Sequence, residues 1–350
     1  MRGLTHPRGG TQRGPAGSWE RVLALPHPRL RPGVIAYRGF RLALDQPRRR
    51  LETPIGAVTL LLGFGHHPLR VHHATRPTVT RTSALSGLTT TPVLGEHDGR
   101  LSGIEVLLAP WAAFTLFGVA QHELAEQVAD PDEVLPYGPL APSGTSSDAP
   151  SVRNADRGRH RHRHRYRYRY RRISDLSDAL SALPSWHTRF TLLDEILIRW
   201  SDAGTPCSTR TAHAWSELVR TRGTLPVHQL AEEVGWSVRQ LESRFREQIG
   251  LSPKAAARVL RLQHARRLLA TGHSQAETAA VCGFYDQSHL SGEFRAMTGC
   301  TPGEFTAARR SAAPGYGPPG PDRLAGEATS LLLPPGADAT APFSKTGGHS

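Results

Sequence analysis

The feature that most constrains the fold is a repeat in the C-terminal third of the chain. Its two copies are LAEEVGWSVRQLESRFREQIGLSP at 230–253 and AAVCGFYDQSHLSGEFRAMTGCTP at 279–302. In each copy a glycine, Gly235 or Gly283, separates two stretches with helical spacing of apolar residues. Because glycine permits the backbone angle of a tight inter-helix turn, the pattern predicts two helix-turn-helix units.

The second helix of each unit is predicted to dock through an apolar stripe. The stripe positions are Val238, Leu241, Phe245 and Ile249 in the first copy, and Leu290, Phe294 and Met297 in the second. The opposite face then points outward, with Arg239, Gln240, Glu242, Ser243 and Arg246 in the first copy, and Gln287, Ser288, Ser291 and Arg295 in the second. Arginine suits phosphates or guanine, glutamine suits adenine, and glutamate accepts from cytosine. We therefore predict that these nine residues contact double-stranded DNA in the major groove.

Residues 254–272 between the copies, KAAARVLRLQHARRLLATG, are predicted to form one helix that ends at Gly272. Its roughly 17 helical residues, at about 1.5 Å each, would span about 25 Å. Successive major-groove segments on one face of DNA lie about 34 Å apart, so this helix could place two recognition helices side by side. The helix carries four arginines, Arg258, Arg261, Arg266 and Arg267. Two interpretations stay open for them: contact with phosphates, or an ordinary solvated face.

These motifs resemble the AraC/XylS-type transcriptional regulators, whose DNA-binding domain has two helix-turn-helix units joined by a long helix. The resemblance covers about 100 residues and includes CGFYDQSHLSGEFRAMTGCTPGEF. Three residues depart from the family pattern: Gln275 and Thr278 stand where apolar residues are usual, and Gly292 stands where arginine is usual. We therefore expect the first unit to supply most of the base-specific affinity and the second mainly to hold phosphates.

The N-terminal half is predicted to be β-rich, with the strand-like runs VIAYRGFRLAL, IGAVTLLLGFG and GIEVLLAP separated by Pro and Gly. The expected fold class is α+β: a sandwich or barrel-like domain followed by an all-α domain. The looser resemblance of the domain at 19–137 to the β-rich regulatory domains of the same family implies that it senses an effector or mediates dimerisation. The DNA-binding domain is expected at 213–310. The remaining segments are expected to be a disordered start at 1–18, a low-complexity linker at 138–172, a helical connector at 173–206 and a disordered tail at 311–350. The apolar face of the connector, Phe190, Leu193, Ile196, Leu197 and Trp200, fits either a dimer surface or packing in its own domain.

Net charge is weak evidence for function here. The chain has 43 Lys and Arg against 30 Asp and Glu, a net charge of +13. Nine of these charges come from RGRHRHRHRYRYRYRR at 157–172, a two-residue repeat that either binds nucleic acid or is a low-complexity expansion without function. Residues 213–310 carry 13 basic and 9 acidic residues, or +4. The DNA-binding prediction therefore rests on the repeat and its polar faces.

Two rival functions remain: an enzyme with an accessory helix-turn-helix domain, and a nonspecific binder driven by charge. An enzyme of the DNA-repair methyltransferase type needs an activated thiol, but Cys207 lies in Pro-Cys-Ser, and Cys282 and Cys300 fall inside the helical domain. The histidines near Glu52 (His66, His67, His72 and His73) fit either a metal site or solvated loops, which we favour. We expect no catalytic residue, metal or cofactor. RNA polymerase, a small effector and a second copy of the chain are candidate partners, no membrane contact is expected, and the expected location is cytoplasmic.

Overall fold

The computed structural model describes residues 8–14, 17–73, 76–135, 172–310 and 330–332. The strands are β1 Arg8–Gly14, β2 Gly17–Ala24, β3 Val34–Leu44, β4 Arg48–Glu52, β5 Val58–Gly63, β6 Leu69–His73, β7 Val79–Arg81, β8 Ala84–Ser86, β9 Val93–His97, β10 Arg100–Leu108, β11 Val128–Ala129 and β12 Ser330–Leu332. The α-helices are α1 Pro110–Phe117, α2 Pro131–Val134, α3 Ile173–Ser181, α4 Trp186–Ala203, α5 Thr209–Arg220, α6 Val227–Glu233, α7 Val238–Ile249, α8 Pro253–Ala270, α9 Gln275–Val281, α10 Gln287–Thr298 and α11 Pro302–Arg310. This order of strands and then helices confirms the predicted α+β class. No described helix combines the length and apolar character needed to span a membrane.

The N-terminal half consists of two antiparallel sheets. One has the strand order β1-β2-β3-β10-β5-β8-β11 and the other β12-β4-β9-β6-β7. The first sheet packs one face against α3 and α4, because alternate residues of its strands are apolar and buried there. The apolar face of α4, which includes Phe190, Leu193 and Leu197, lies in this core, so packing in its own domain explains that face and a dimer surface does not.

The C-terminal half repeats a three-helix unit. The helices α5, α6 and α7 form the first unit, and α8, α9 and α10 form the second, so that α8 is both the connecting helix and the first helix of the second unit. The predicted stripe residues Leu241, Phe245, Leu290 and Phe294 are fully buried in one apolar core. The long helix predicted at 254–272 is present as α8.

The two halves pack against each other through the first unit and α8. Arg266 on α8 donates from Nη2 to the carbonyl oxygen of Pro54 at 3.1 Å, and the Gly56 amide donates to Oε1 of Gln263 at 3.0 Å. At the end of α7, Gly250 has φ +105°, and a Cβ there would lie 2.9 Å from the carbonyl oxygen of Gln121. The N-terminal half is therefore in direct contact with the helix that follows the first turn.

Two segments differ from the expectation of disorder at the termini. Arg8–Gly14 pairs with β2 from Arg8↔Leu23 to Gly14↔Gly17, and Ser330–Leu332 pairs with β4. Backbone hydrogen bonds form both pairings, to the next strand in the chain for β1 and to a distant strand for β12. These bonds do not depend on the composition from which disorder was inferred. The predicted linker at 138–172, apart from Arg172, and the rest of the two predicted disordered ends lie outside the described residues.

Candidate nucleic-acid interface

The first helix-turn-helix unit is held by local contacts around its turn. Gly235 adopts φ +65°, and Ser237 caps α7 by accepting from the Gln240 amide. The guanidinium of Arg210 on α5 lies 5.7 Å from the ring centroid of Trp236 and donates to the carbonyl oxygen of Gly235. These contacts fix the angle at which α7 leaves the turn.

The outward face of α7 is formed by exposed polar side chains. All five predicted residues are exposed: Arg239, Gln240, Glu242, Ser243 and Arg246. One end of the Gln240 side chain is already bonded within the protein, because its Oε1 accepts from the amide of Ser237 and closes a capping box. Its Nε2 is left to donate to another acceptor. The prediction that Val238 belongs to the buried stripe is wrong: it is 41% exposed, since it is the first residue of the helix and precedes the stripe contacts.

The second unit repeats this arrangement with one change in its turn. Arg261 on α8 lies 5.6 Å from the ring centroid of Phe284, as Arg210 does for Trp236 in the first unit. Asp286 caps α10 by accepting from the His289 amide at 2.7 Å. The second unit has one more residue than the first between the turn glycine and the buried phenylalanine of the following helix. Tyr285 occupies this additional position.

The outward face of α10 is poorer in charge. Gln287 and Ser288 are exposed, whereas Ser291 is half-buried. Arg295 lies 3.7 Å from Glu304. Gly292 lies between Ser288 and Arg295 on this face, is exposed, and a Cβ at its position would meet no atom within 4 Å.

The two departures on α9 have different outcomes. Gln275 has partners, since its Oε1 accepts from Gln287 Nε2 at 3.4 Å and from Ser291 Oγ at 3.3 Å. These bonds tie α9 to α10 and turn two of the predicted DNA-contacting side chains toward the protein. Thr278 is fully buried and its Oγ1 has no hydrogen-bond partner among the described residues, so it carries the expected penalty.

The arginines of α8 have contacts within the protein. Arg258 binds both carboxylate oxygens of Glu293 at 2.8 and 3.1 Å, Arg261 stacks on Phe284, and Arg266 is fully buried. The phosphate-contact alternative is wrong for Arg266. Sequence reasoning could not find these roles, because the partners of Arg266 and Arg258 lie far along the chain.

Neither rival chemistry is well supported by the described residues. Burial raises the pKa of the Cys207 thiol to about 12 and that of Cys282 to about 11, so neither supplies a thiolate nucleophile near neutral pH. His72 contacts Glu96 at 3.2 Å and His67 lies 3.7 Å from Asp98, so these histidines belong to separate pairs. A further group, His213, Glu217 and Glu233, has ligand atoms within 4.8 Å of one another, but Glu217 is already bound by Arg220.

Sequence reasoning missed a group of charged side chains that the two sheets bring together. Arg38 and Glu105 of the first sheet form an ion pair of 3.0 Å, and Arg50 and Glu52 of the second form one of 3.3 Å. Burial raises the pKa of the Glu52 carboxyl, although 41% of its side chain is accessible. The pKa of Glu52 also responds to the charges of Glu105, Arg38 and Arg266, the last of which lies on α8.

Two buried donors near this charged group lack acceptors among the described residues. Arg48 and His97 are cross-strand neighbours, and they share a face with Arg50 and Glu52. His97 Nδ1 accepts from the Gly99 amide at 3.1 Å, so Nε2 carries the proton. Within the part of the chain that the structure describes, that Nε2 and the Nε of Arg48 are buried without a partner. Burial lowers the pKa of His97 to about 4, and the imidazole is therefore neutral near pH 7.

Comparisons with known proteins agree with the geometry of the helical half. A family model described as a helix-turn-helix domain matches residues 209–308. The HTH-type transcriptional activator RhaR of Klebsiella pneumoniae is 34% identical over 88 residues, which are 25% of this chain and 31% of that protein. The chain thus matches less than a third of the length of this curated relative.

Two solved structures are similar over the same region. An AraC-type transcriptional regulator from Chromobacterium violaceum is 32% identical, over 30% of this chain and 95% of that chain, with a TM-score of 0.28. The DNA-binding domain of AdpA, solved in complex with a target DNA, is 31% identical, over 31% of this chain and 100% of that chain, with a TM-score of 0.29. Residues 209–308 therefore form a helix-turn-helix domain of the AraC type.

Proposed function

We propose that the chain is a sequence-specific transcriptional regulator that reads two major-groove segments of double-stranded DNA with α7 and α10. The observation that carries the proposal is the pair of three-helix units, each of which presents an exposed polar face on its last helix. The AdpA domain, which is similar over 31% of this chain, was solved on a target DNA. The nine predicted contact residues remain part of the proposal, with Arg239 and Arg246 the strongest because both are exposed arginines, the side chain best suited to guanine and phosphate.

Selection of binding sites from random DNA by the full chain tests this function. The selected duplex should be bound in preference to random DNA at moderate salt. Arg239→Ala and Arg246→Ala should each weaken that binding by about fivefold or more, since a good arginine–base contact is worth about 1–3 kcal/mol. Arg199→Ala is the matched control, because Arg199 is a half-exposed arginine on α4 in the N-terminal half. Equal affinity for selected and random DNA that collapses with salt would support a charge-driven binder instead.

A second part of the proposal is that a small acidic effector binds between the two sheets. Arg48 and His97 supply buried donors without acceptors, and a carboxylate supplies acceptor oxygens. The neighbouring Arg50, Arg38 and Arg266 exceed the two carboxylates, Glu52 and Glu105, in number, so the local charge favours a negative ligand.

Thermal unfolding of the full chain in the presence of hexanoate, with hexanamide as the neutral control, tests the effector site. Hexanoate alone should raise the unfolding temperature. Arg48→Met should abolish this rise and should also stabilise the chain without ligand, because it removes a buried donor that lacks a partner. Arg41→Met, an exposed arginine on β3, is the control. Equal responses to acid and amide would contradict an anion site.

The remaining expectations rest on the same proposal. RNA polymerase is a proposed partner because the relative RhaR is described as a transcriptional activator. A regulator that works on DNA beside RNA polymerase acts in the cytoplasm, and it needs no catalytic group. A second copy of the chain could bind only through a surface other than the buried face of α4. Light scattering of the full chain, with and without the selected duplex, measures that stoichiometry.

A further inference from the structure

Exposed apolar side chains occur at the starting ends of both recognition helices. Within the described ranges the exposed large hydrophobic residues are Val219, Val238, Val281 and Tyr285. Val238 is the first residue of α7, and Tyr285 directly precedes Asp286, the cap of α10. Tyr285 is 92% exposed, the highest value of the four, so its ring gains almost nothing from packing in the free protein.

Ordered backbone holds both side chains in place. Val238 follows the capping box of Ser237. The Tyr285 amide donates to His289 Nδ1 at 3.2 Å, and the His289 ring packs edge-on against Phe284 with centroids 5.5 Å apart. The exposed groups are therefore presented at defined positions at the tips of the helices.

Comparison of the two units points to a ligand for Tyr285. The turn of the second unit is one residue longer, and the added residue is this exposed tyrosine. Nothing in the packing of the unit uses its ring, because the buried aromatic position after the turn is already filled by Phe284. The carboxylate of Asp286 at the same tip repels phosphates, which favours a contact with a base.

Thymine supplies the apolar group that these side chains would meet. The first residues of a recognition helix contact base edges in the major groove, where the C5-methyl of thymine is the apolar feature. We propose that Val238 and Tyr285 each contact a thymine methyl group, so that each half of the recognised site contains an A·T pair at that position. This inference rests on the function proposed above.

Deoxyuridine in place of single thymines of the selected duplex tests the inference, because it removes only the methyl group. Loss of one contacted methyl should weaken binding by the full chain about fourfold. Tyr285→Ala should abolish this sensitivity in one half of the site, and Val238→Ala should abolish it only in the other. Each variant is thus a control for its counterpart, and Val219→Ala on α5 should leave both sensitivities unchanged. Matching unfolding temperatures exclude loss of folding.

The possible failures are distinguishable. If the unsubstituted chain binds every duplex with equal affinity, the proposed function is refuted and the inference is refuted with it. If the chain prefers a duplex but every deoxyuridine is tolerated, or if sensitivity persists in both alanine variants, only the inference is overturned. Tyr285→Phe should bind like the unsubstituted chain. A loss as large as that of Tyr285→Ala would assign the contact to the hydroxyl group and overturn the methyl contact for Tyr285.

Discussion

Gly292 is the position at which a single substitution should change both stability and DNA affinity. It lies inside α10 on the exposed face, and a Cβ there would meet no atom within 4 Å. Alanine in a helix interior is more favourable than glycine by about 1 kcal/mol. Gly292→Ala should therefore increase the free energy of unfolding by about 1 kcal/mol without a compensating clash.

Gly292→Arg should add DNA affinity to this gain in stability. The new side chain would project between Ser288 and Arg295, the centre of the outward face of α10. A contact with guanine is worth about 1–3 kcal/mol, so binding of the selected duplex should tighten by about fivefold or more. If the new arginine instead contacted a phosphate, the gain in affinity would be similar for every DNA sequence. The slope of log affinity against log salt concentration would then become steeper by about one released counterion.

Fluorescence anisotropy of the full chain on labelled duplex, at two salt concentrations, measures this difference. The proper reference is Gly292→Ala, because both variants have the same improvement of the helix and differ only in the guanidinium. Equal affinities of Gly292→Arg and Gly292→Ala on selected and random DNA would refute the reasoning that α10 faces DNA through this position.

Three further predictions concern stability. Thr278→Val should stabilise the chain by about 1 kcal/mol in chemical denaturation, since the buried hydroxyl has no partner; a loss of stability would contradict this. Burial, reinforced by a nearby arginine, lowers the pKa of His264 to about 4, so stability should fall as pH decreases from about 6.5 to 4, and His264→Gln should flatten that part of the profile. Gly250→Ala should destabilise the chain more than Gly235→Ala. Both positions have positive φ, but only the first would also press a Cβ against the carbonyl oxygen of Gln121, and equal losses would exclude that contact.

The helical half could be predicted closely because its signals are local. The turn at Gly235 and the stripe residues Leu241 and Phe245 are set by near neighbours in the chain, and the structure places them as expected. The β-rich half was predicted where side chains alternate, as in β3, which coincides with the run VIAYRGFRLAL. It was missed in β1, because RGGTQRG has weak strand propensity and pairs through backbone groups with β2.

The candidate site could be predicted only as far as exposure follows from helix geometry. That logic identified Arg239 and Arg246, which are exposed, but it could not detect that Gln287 bonds to Gln275 across two helices. Nor could it show that Arg266 reaches Pro54, because those residues are 212 positions apart. Contacts between residues far apart in the chain decide which polar side chains remain available to bind DNA. No local pattern in a single sequence reveals such contacts.

The contact between the two halves has a practical consequence for any shortened form of the chain. Leu51 and Leu88 belong to the same apolar core as Trp215 and Ile249, and Trp111 packs against it. Cutting the chain before Thr209 would leave part of that core in water, and such patches drive association. A truncated protein could therefore bind one duplex as several associated molecules, and its apparent affinity for DNA would then rise. Association through the newly exposed apolar surface would explain that rise, and release from inhibition would not.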